Sequence, residues 1–228
     1  MIVSHSVNTR RALTRVDVST TIRGMARQPQ PFQFDAADAA SYDARLVAAL
    51  SAEPSSAEAI AIQWQNSPVG PLLLGATDSH LVLLEFSDPT QLEAQLTRLR
   101  KHFARPLACA SNPIIELVRT QLEGYFAGAR RDFDVPLEVH GSTFQESVWA
   151  ALRTIPYGET CSYGAIAKRL GDANAMRAVG AANGVNPIAI VIPCHRVVNA
   201  NGELGGYGGG LWRKRVLLDL ERGQGSLF

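Results

Sequence analysis

Residues 188–197 read Ile188-Ala189-Ile190-Val191-Ile192-Pro193-Cys194-His195-Arg196-Val197, so a cysteine and a histidine directly follow an apolar run. Branched apolar residues favour a buried strand. Pro193 cannot donate a backbone hydrogen bond and tends to end such a strand. The pattern therefore predicts a core strand over 188–192 that brings Cys194 to its end.

Cys194 carries chemistry only if a neighbouring group ionises it. A cysteine reacts as the thiolate, and an unassisted thiol with a pKa of about 8.5 is mostly protonated at neutral pH. It needs a base, for which His195 is adjacent in sequence, and the base needs an orienting group, for which Glu221 is the candidate. The alternative is that Cys194 is a small buried hydrophobe, the commoner role of an isolated cysteine.

Several motifs surround this stretch, between about Thr143 and Arg222. In chain order they are Pro156-Tyr157-Gly158-Glu159-Thr160, Ser162-Tyr163, Arg177-Ala178-Val179-Gly180-Ala181-Ala182-Asn183-Gly184-Val185-Asn186-Pro187, Ile192-Pro193-Cys194-His195-Arg196-Val197-Val198, Gly206-Tyr207-Gly208-Gly209-Gly210-Leu211, and Leu217-Leu218 with Glu221. In type and order these motifs resemble those of the O6-alkylguanine-DNA alkyltransferases.

The resemblance implies DNA repair by direct damage reversal, as a methylated-DNA–protein-cysteine methyltransferase that acts once. An alkyl group would pass irreversibly from O6-alkylguanine in double-stranded DNA to Cys194, with O4-alkylthymine as a further candidate substrate and no cofactor. Rival classes are a non-catalytic damage sensor or regulatory DNA-binding protein, and a cysteine hydrolase. The intact Cys194-His195 pair argues against a sensor. Adaptive-response regulators carry an N-terminal metal-bound cysteine cluster, whereas this chain has no cysteine before Cys109.

The resemblance also assigns the catalytic roles. It implies a Glu221–His195–water–Cys194 relay that helps to form the thiolate, which is the logic of a cysteine-hydrolase triad with another substrate. Tyr163 would rotate the 3′-phosphate of the target nucleotide and offer its phenol to the base, although a half-buried core aromatic is the plainer interpretation. Asn186 would be the hinge before the cysteine loop, or a simple Asn-Pro turn.

Two short helical patterns, about 162–170 and 175–183, flank a turn at Gly171-Asp172 and outline a helix-turn-helix. The second pattern is rich in small residues, which suit close packing against another helix or against DNA. The resemblance implies that this helix enters the minor groove and that Arg177 fills the space left by a flipped nucleotide. Asn183 and Gly184 would equally be ordinary helix caps. The predicted DNA-binding residues are Arg177, Ala178, Ala181, Asn183, Gly184 and Ser162.

A glycine-rich loop at 205–210 surrounds Tyr207, which is a plausible wall for a planar base. The predicted substrate pocket comprises Tyr207, Gly208, Val197 and Pro193. Gly208 occupies a position where relatives often carry a hydroxyl or methyl side chain, so the pocket is expected to be looser there.

The sequence of the first half of the chain predicts a scaffold domain whose residues suggest no chemistry. Three strands near 60–64, 72–76 and 81–86 favour an antiparallel meander. Helices follow near 89–103 and from Pro113, the latter with an apolar stripe of Ile114, Leu117, Val118, Leu122 and Phe126. We therefore expect an α/β (α+β) fold, with a three-stranded antiparallel, ribonuclease-H-like domain at 58–140. A mostly helical, DNA-binding and alkyl-transfer domain at 141–228 follows, and a basic, Ala-rich extension at 1–57 precedes.

Composition narrows the function classes further. The net charge of +1 over 228 residues gives no global attraction to nucleic acid. The three cysteines and five histidines show no metal-ligand spacing, so no metal is predicted. Few cysteines suit a reducing cytoplasm, with nucleoid association if the source is bacterial. We expect no membrane segment and a monomer, and the sequence leaves cooperative binding along DNA open.

Overall fold

The computed structural model describes residues 36–50, 59–86 and 92–223. The predicted 1–57 extension falls outside these ranges except for one helix. The helices are α1 Ala36–Leu50, α2 Leu92–Phe103, α3 Pro113–Phe126, α4 Thr143–Leu152, α5 Tyr163–Arg169, α6 Met176–Gly184 and α7 Leu211–Glu221. The strands are β1 Ile60–Gln65, β2 Leu72–Ala76, β3 Leu81–Phe86, β4 Leu107–Cys109, β5 Cys161–Ser162 and β6 Val197–Val198.

The first half forms a four-stranded sheet in the order β3-β2-β1-β4. The predicted antiparallel meander of β1, β2 and β3 is confirmed, with Trp64 opposite Leu73 and Leu74 opposite Leu84. The prediction of only three strands is wrong, because β4 adds to β1 in parallel. A strand of three residues has too little periodicity to be detected in a sequence.

Local hydrogen bonds define where the long helices begin. Asn112 caps α3 through its side chain, which accepts from Ile115 N, and Ser142 and Gln145 form the capping box of α4. The buried stripe of α3 differs from the predicted one: Leu117 is exposed, whereas Tyr125 is fully buried. The buried face of α3 therefore includes Tyr125, which contributes to the site described below.

Helices α5 and α6 form the predicted helix-turn-helix. Ser162 Oγ accepts from Ala165 N and caps α5. The indole of Trp149, in α4, donates to Ala182 O at 2.9 Å and ties α6 to the rest of the domain. Small residues on α6 thus serve close packing on one face while the other face stays exposed.

The predicted strand over 188–192 is wrong. Only Ile188 makes a bridge, to Leu84 of β3, and the chain then turns back on itself: Ile192 N donates to Ile188 O at 2.9 Å. The Asn186 side chain makes hydrogen bonds that a neighbouring strand would otherwise make. It accepts from Ile188 N and donates to Ile192 O. The apolar run correctly predicts burial. It does not distinguish a buried strand from a buried turn whose backbone groups are hydrogen-bonded by a side-chain amide, because both have the same composition.

Two apolar clusters cover the two faces of the sheet. One joins sheet residues such as Leu72 and Leu84 to Ile188, Val197 and Leu217 of the second half. The other packs α1 and α2 on the opposite face, around Leu46 and Leu96. The cysteine loop is therefore anchored directly on the sheet. In the described ranges, no helix combines the length and the apolar character that a membrane crossing requires.

Candidate active site

Cys194 opens a single 3₁₀ turn, Cys194–Arg196, directly after Pro193. The loop that leads to this turn is bonded to β3, because Leu84 N donates to Pro187 O and Ala189 N donates to Leu84 O. Ile190 has φ 68°, in the left-handed region that a β-branched residue rarely adopts. Strained backbone of this kind persists only when the surrounding structure fixes it, so the loop delivers the thiol with little freedom.

Glu221, at the end of α7, is the centre of a buried polar network. Its Oε1 accepts from His195 Nε2 at 2.8 Å and from Arg196 Nη2 at 3.0 Å. Its Oε2 accepts from Arg196 Nε at 2.8 Å and from Gly158 N at 3.1 Å. The structure thus brings together His195 and Glu221, which are 26 positions apart in the sequence, and Cys194 precedes His195 in the same turn.

A further donor to Glu221 comes from the sheet domain. Tyr125 OH, in α3, donates to Glu221 Oε1 at 2.8 Å. The expectation that the first half contributes no chemistry is therefore wrong. Sequence reasoning missed Tyr125 because an aromatic residue among apolar ones is typical of a core stripe. The sequence does place Tyr125 three residues after Leu122, and therefore on the same face of α3.

The network fixes the protonation states of its members. Burial alone would raise the pKa of Glu221, but hydrogen bonds and charge from His195 and Arg196 outweigh it and lower the pKa to about 2. Burial lowers the pKa of His195, against the raising effect of Glu221. His195 is therefore neutral near pH 7, with its proton on Nε2 toward Glu221. Its Nδ1 is buried without a hydrogen-bond partner in the described residues and is free to accept a proton.

The thiol itself is in a restrictive environment. Cys194 is 5% exposed, and burial raises its pKa above the usual value. Hydrogen bonds from the Asn186 and Tyr207 side chains, the charge of Lys214 and a backbone hydrogen bond lower this pKa. The Tyr207 hydroxyl has no nitrogen or oxygen partner among the described residues, and its polar neighbour is the sulfur. Lys214 is not among the residues predicted from the sequence motifs.

A cavity of about 420 Å³ reaches Cys194. Its walls near the thiol include Asn183, Asn186, Tyr207 and Gly208. A Cβ on Gly208 would meet only Gly184 O at 3.4 Å, so the wall is open at that position. Two predicted pocket residues lie elsewhere: Pro193 and Val197 are buried and do not line this cavity, and Val197 pairs with Cys161 in the β5–β6 ladder.

The predicted DNA-binding residues divide into two groups. Arg177, Ala178, Ala181 and Gly184 are exposed along α6. Asn183 is buried instead, and its amide donates to Cys194 O at 3.4 Å, because the inner face of α6 packs on the cysteine loop. Asn183 thus connects the helix to the reactive loop rather than facing solvent.

The remaining predicted residues flank this surface. Ser162 is half-buried and its hydroxyl caps α5. Tyr163, half-buried, donates to Gly206 O at 3.3 Å and so links α5 to the glycine-rich loop. Of the other thiols, Cys161 is half-buried and Cys109 is exposed. Across the described ranges, no group of three metal-ligating side chains is close enough to hold an ion.

Two family models match the chain. The ribonuclease-like domain of 6-O-methylguanine DNA methyltransferase matches residues 61–139, and the DNA-binding domain of 6-O-methylguanine DNA methyltransferase matches residues 143–223. This chain belongs to the 6-O-methylguanine DNA methyltransferase family. Membership confirms the predicted resemblance and the ribonuclease-like character of the sheet domain.

Individual relatives of this methyltransferase family member span most of the described chain. The methylated-DNA–protein-cysteine methyltransferase of Mycobacterium tuberculosis is 49% identical over 157 residues, covering 69% of this chain and 89% of that protein. The protein of the same name from Methanosarcina acetivorans is 46% identical, covering 68% and 94%. A crystal structure of Mycobacterium tuberculosis OGT in complex with DNA superimposes with a TM-score of 0.62 at 45% identity, covering 72% of this chain and 93% of that one.

Proposed function

We propose that this protein removes the alkyl group from O6-alkylguanine in double-stranded DNA and keeps it on the sulfur of Cys194. Family membership makes DNA repair by alkyl transfer to a protein cysteine the activity of the chain. One observation supports Cys194 as the acceptor above all others. It is the thiol at the cavity, next to a neutral histidine whose Nδ1 is free to take up its proton.

The transfer balances with the residues of this site. The Cys194 proton moves to His195 Nδ1, directly or through solvent, and the resulting imidazolium is stabilised by the ionised Glu221 at 2.8 Å. The thiolate attacks the alkyl carbon, so an S–C bond forms while the C–O6 bond breaks and its electron pair stays on the guanine. An equivalent proton, which His195 gives up to the solvent on returning to its neutral form, reaches the base and leaves neutral guanine.

Recognition of the base requires it to leave the stack, because Cys194 is buried at the cavity and a base paired within the duplex cannot reach it. We assign to the exposed Arg177 the role of filling the vacated space, since a planar cation stacks on bases. The small exposed residues Ala178 and Ala181 fit a helix that lies in the minor groove. Tyr163 is the assigned phenol donor to the base, and its hydroxyl already lies at the loop that carries Tyr207.

One transfer per chain follows from the product. S-alkylcysteine is a thioether without a base-labile bond, so the histidine and carboxylate that generate the thiolate do not regenerate it. We further propose that a single chain acts on each lesion, in the cytoplasm, where the exposed Cys109 stays reduced. A second protomer on the same duplex, detected by sedimentation, would contradict the single-chain proposal.

The test is incubation with a duplex that carries one O6-(trideuteromethyl)guanine, followed by intact mass and peptide mapping. We expect one labelled methyl per chain, on Cys194 alone, with saturation at one equivalent. Cys194→Ser should bind the duplex without gaining mass, and Cys161→Ser serves as the matched thiol control with full transfer. Binding by the natural protein without a mass change would establish a damage sensor instead, and repeated turnover would contradict the single-transfer mechanism.

A further inference from the structure

Arg213, on α7, connects the sheet domain to the glycine-rich loop at 205–210. Its Nε donates to Val69 O at 2.6 Å, and its Nη1 donates to Gly209 O at 2.8 Å. Val69 is fully buried in the connection between β1 and β2, 144 positions before Arg213 in the sequence. One guanidinium thus bonds backbone carbonyls from two distant parts of the chain.

The same guanidinium also lies over two aromatic rings. Its Cζ is 5.2 Å from the centre of the Phe86 ring and 4.6 Å from that of the Trp212 ring. Phe86, at the end of β3, packs edge-on against Tyr207, with ring centres 5.9 Å apart. A planar cation with several fixed donors stacks on rings and bonds carbonyls at the same time. Arg213 therefore holds the loop directly through Gly209 O and indirectly through the ring of Phe86.

The loop held in this way is a wall of the cavity that reaches Cys194. Tyr207, Gly208 and Gly209 all line the cavity, and Phe86 lies beside them. A run of glycines has little conformational preference of its own, so its position depends on its contacts with neighbouring elements. The position matters for the reaction, because a misplacement of about 1 Å in an active site can slow a reaction by about 10²-fold.

We propose that Arg213 is a positioning residue, which fixes this wall and thereby the position of the base relative to the sulfur of Cys194. The inference rests on the proposed transfer to Cys194. A methyl group offers little surface to the cavity, so the contacts of the base with the wall must align its carbon with the sulfur. A benzyl group makes contacts of its own, and binding energy from such a remote part compensates for a loosely held base. Arg213 therefore favours small O6 substituents over bulky ones.

The test compares Arg213→Met with Arg215→Met, which replaces an exposed arginine of the same helix. In Arg213→Met we expect single-turnover transfer from O6-methylguanine in a duplex to slow about 10-fold, as for a displacement of less than 1 Å. Transfer from O6-benzylguanine should slow by about two-fold at most, because the ring adds its own contacts. The affinity for an unmodified duplex should not change in either variant, since α6 keeps its contacts.

Arg213→Lys separates the geometry of the guanidinium from its charge. An ammonium lacks the planar fork that reaches both carbonyls while it stacks on Phe86. We therefore expect Arg213→Lys to resemble Arg213→Met in the ratio of methyl to benzyl transfer. Full recovery in Arg213→Lys would show that the charge alone matters, and it would overturn the inference.

Hydrogen exchange gives a readout that involves neither DNA nor transfer. In Arg213→Met the amides of a peptide that covers 205–210 should exchange faster than in the natural protein, whereas those of α5 and α6 should exchange at the same rate. Faster exchange in this loop, combined with no methyl transfer by the natural protein, would contradict the proposed function alone. If the loop exchanges at its original rate, or if both substituents are transferred more slowly by the same factor, Arg213 serves only folding and the inference is overturned.

Discussion

The two sides of Cys194 are built on opposite principles. On the carboxylate side (Tyr125, His195, Arg196 and Glu221), one carboxylate accepts five hydrogen bonds between 2.8 and 3.1 Å. On the lysine side (Lys214, Tyr207 and the 205–210 loop), the ammonium makes one hydrogen bond within the described ranges, of 3.3 Å to Gly205 O. The Tyr207 hydroxyl there has no nitrogen or oxygen partner in the described residues.

This difference separates two requirements of the reaction. The base must keep one orientation and one tautomer throughout, so the groups that hold it are saturated and rigid. The thiolate and the incoming base need contacts that exist only during the reaction, and contacts of that kind must stay open in the resting protein. We therefore expect substitutions on the carboxylate side to affect folding and transfer together, and those on the lysine side to affect transfer more than folding.

The largest effect is expected from Glu221→Gln. The substitution leaves the buried Arg196 without its counter-charge and replaces the ionised acceptor of His195 with a neutral amide. Removing one partner of a buried ion pair costs about 3–5 kcal/mol of stability. Loss of an effective general base slows transfer by a factor on the order of 10²–10⁴. Urea unfolding and single-turnover transfer measure the two losses, with the exposed Glu159→Gln as the control. A variant that folds normally but transfers slowly would show that the carboxylate side is catalytic without being structural.

The pH dependence of stability should report the same carboxylate. The pKa of Glu221 falls from 4.5 to about 2 on folding, because its hydrogen bonds and neighbouring charges outweigh burial. Between pH 4.5 and 2 the unfolded chain therefore binds a proton that the folded protein does not, and stability is lost as the pH falls through this window. The expected loss is about 3 kcal/mol.

Burial also lowers the pKa of His195, which adds a loss in the same direction as the pH falls below 6.5. Urea unfolding from pH 7 to pH 3 measures the combined slope. In Glu221→Gln the part below pH 4.5 should disappear. An unchanged slope in that variant would mean that other carboxyl groups govern acid unfolding.

On the lysine side, Gly209→Ala should be the most disruptive change to the loop. A Cβ at Gly209 would lie 2.9 Å from Phe86 Cε2 and closer still to Cδ2, so the aromatic ring must move. That ring is packed against Tyr207 and below the guanidinium of Arg213. We expect a stability loss of about 2 kcal/mol from overpacking, with slower transfer because Tyr207 shifts. Gly208→Ala is the matched control, since a Cβ there meets only Gly184 O at 3.4 Å. Equal losses in both variants would show that the loop adjusts freely.

The sequence predicts the locally determined parts of this molecule well and the interior polar contacts poorly. The capping pairs of α3 and α4, the meander and the helix-turn-helix depend on residues within a few positions of one another. Strand β4 does not, because its partner β1 is far away in the sequence. The turn at 188–192 is local, but its apolar composition is the same as that of a buried strand. Lys214 lies in the run Arg213-Lys214-Arg215, which is typical of a solvated surface.

A helical spacing nevertheless distinguished Lys214. Together with Leu217, Leu218 and Glu221 it forms an i, i+3, i+4, i+7 series, which is the buried face of α7. A charged residue in such a series means either that the buried face has been assigned wrongly or that the charged group has a function. Examining the apolar faces for charged and phenolic members would have found both Lys214 and Tyr125.

Tyr125→Phe should give the smallest effect, and it tests whether the carboxylate side is saturated. The variant loses one hydrogen bond to an ionised acceptor but keeps the ring, which packs edge-on against Phe126 and Tyr157. We expect a loss of about 1.5 kcal/mol in urea unfolding, the lower end for a bond to a charged group. Transfer should fall only a few-fold, because Glu221 retains four donors. Tyr157→Phe removes a nearby hydroxyl that makes no hydrogen bond in the described residues, so it should cost less. If the two variants lose equal stability, the sheet domain supports the site by packing alone. The hydrogen bond from the Tyr125 hydroxyl to Glu221 would then not contribute to stability.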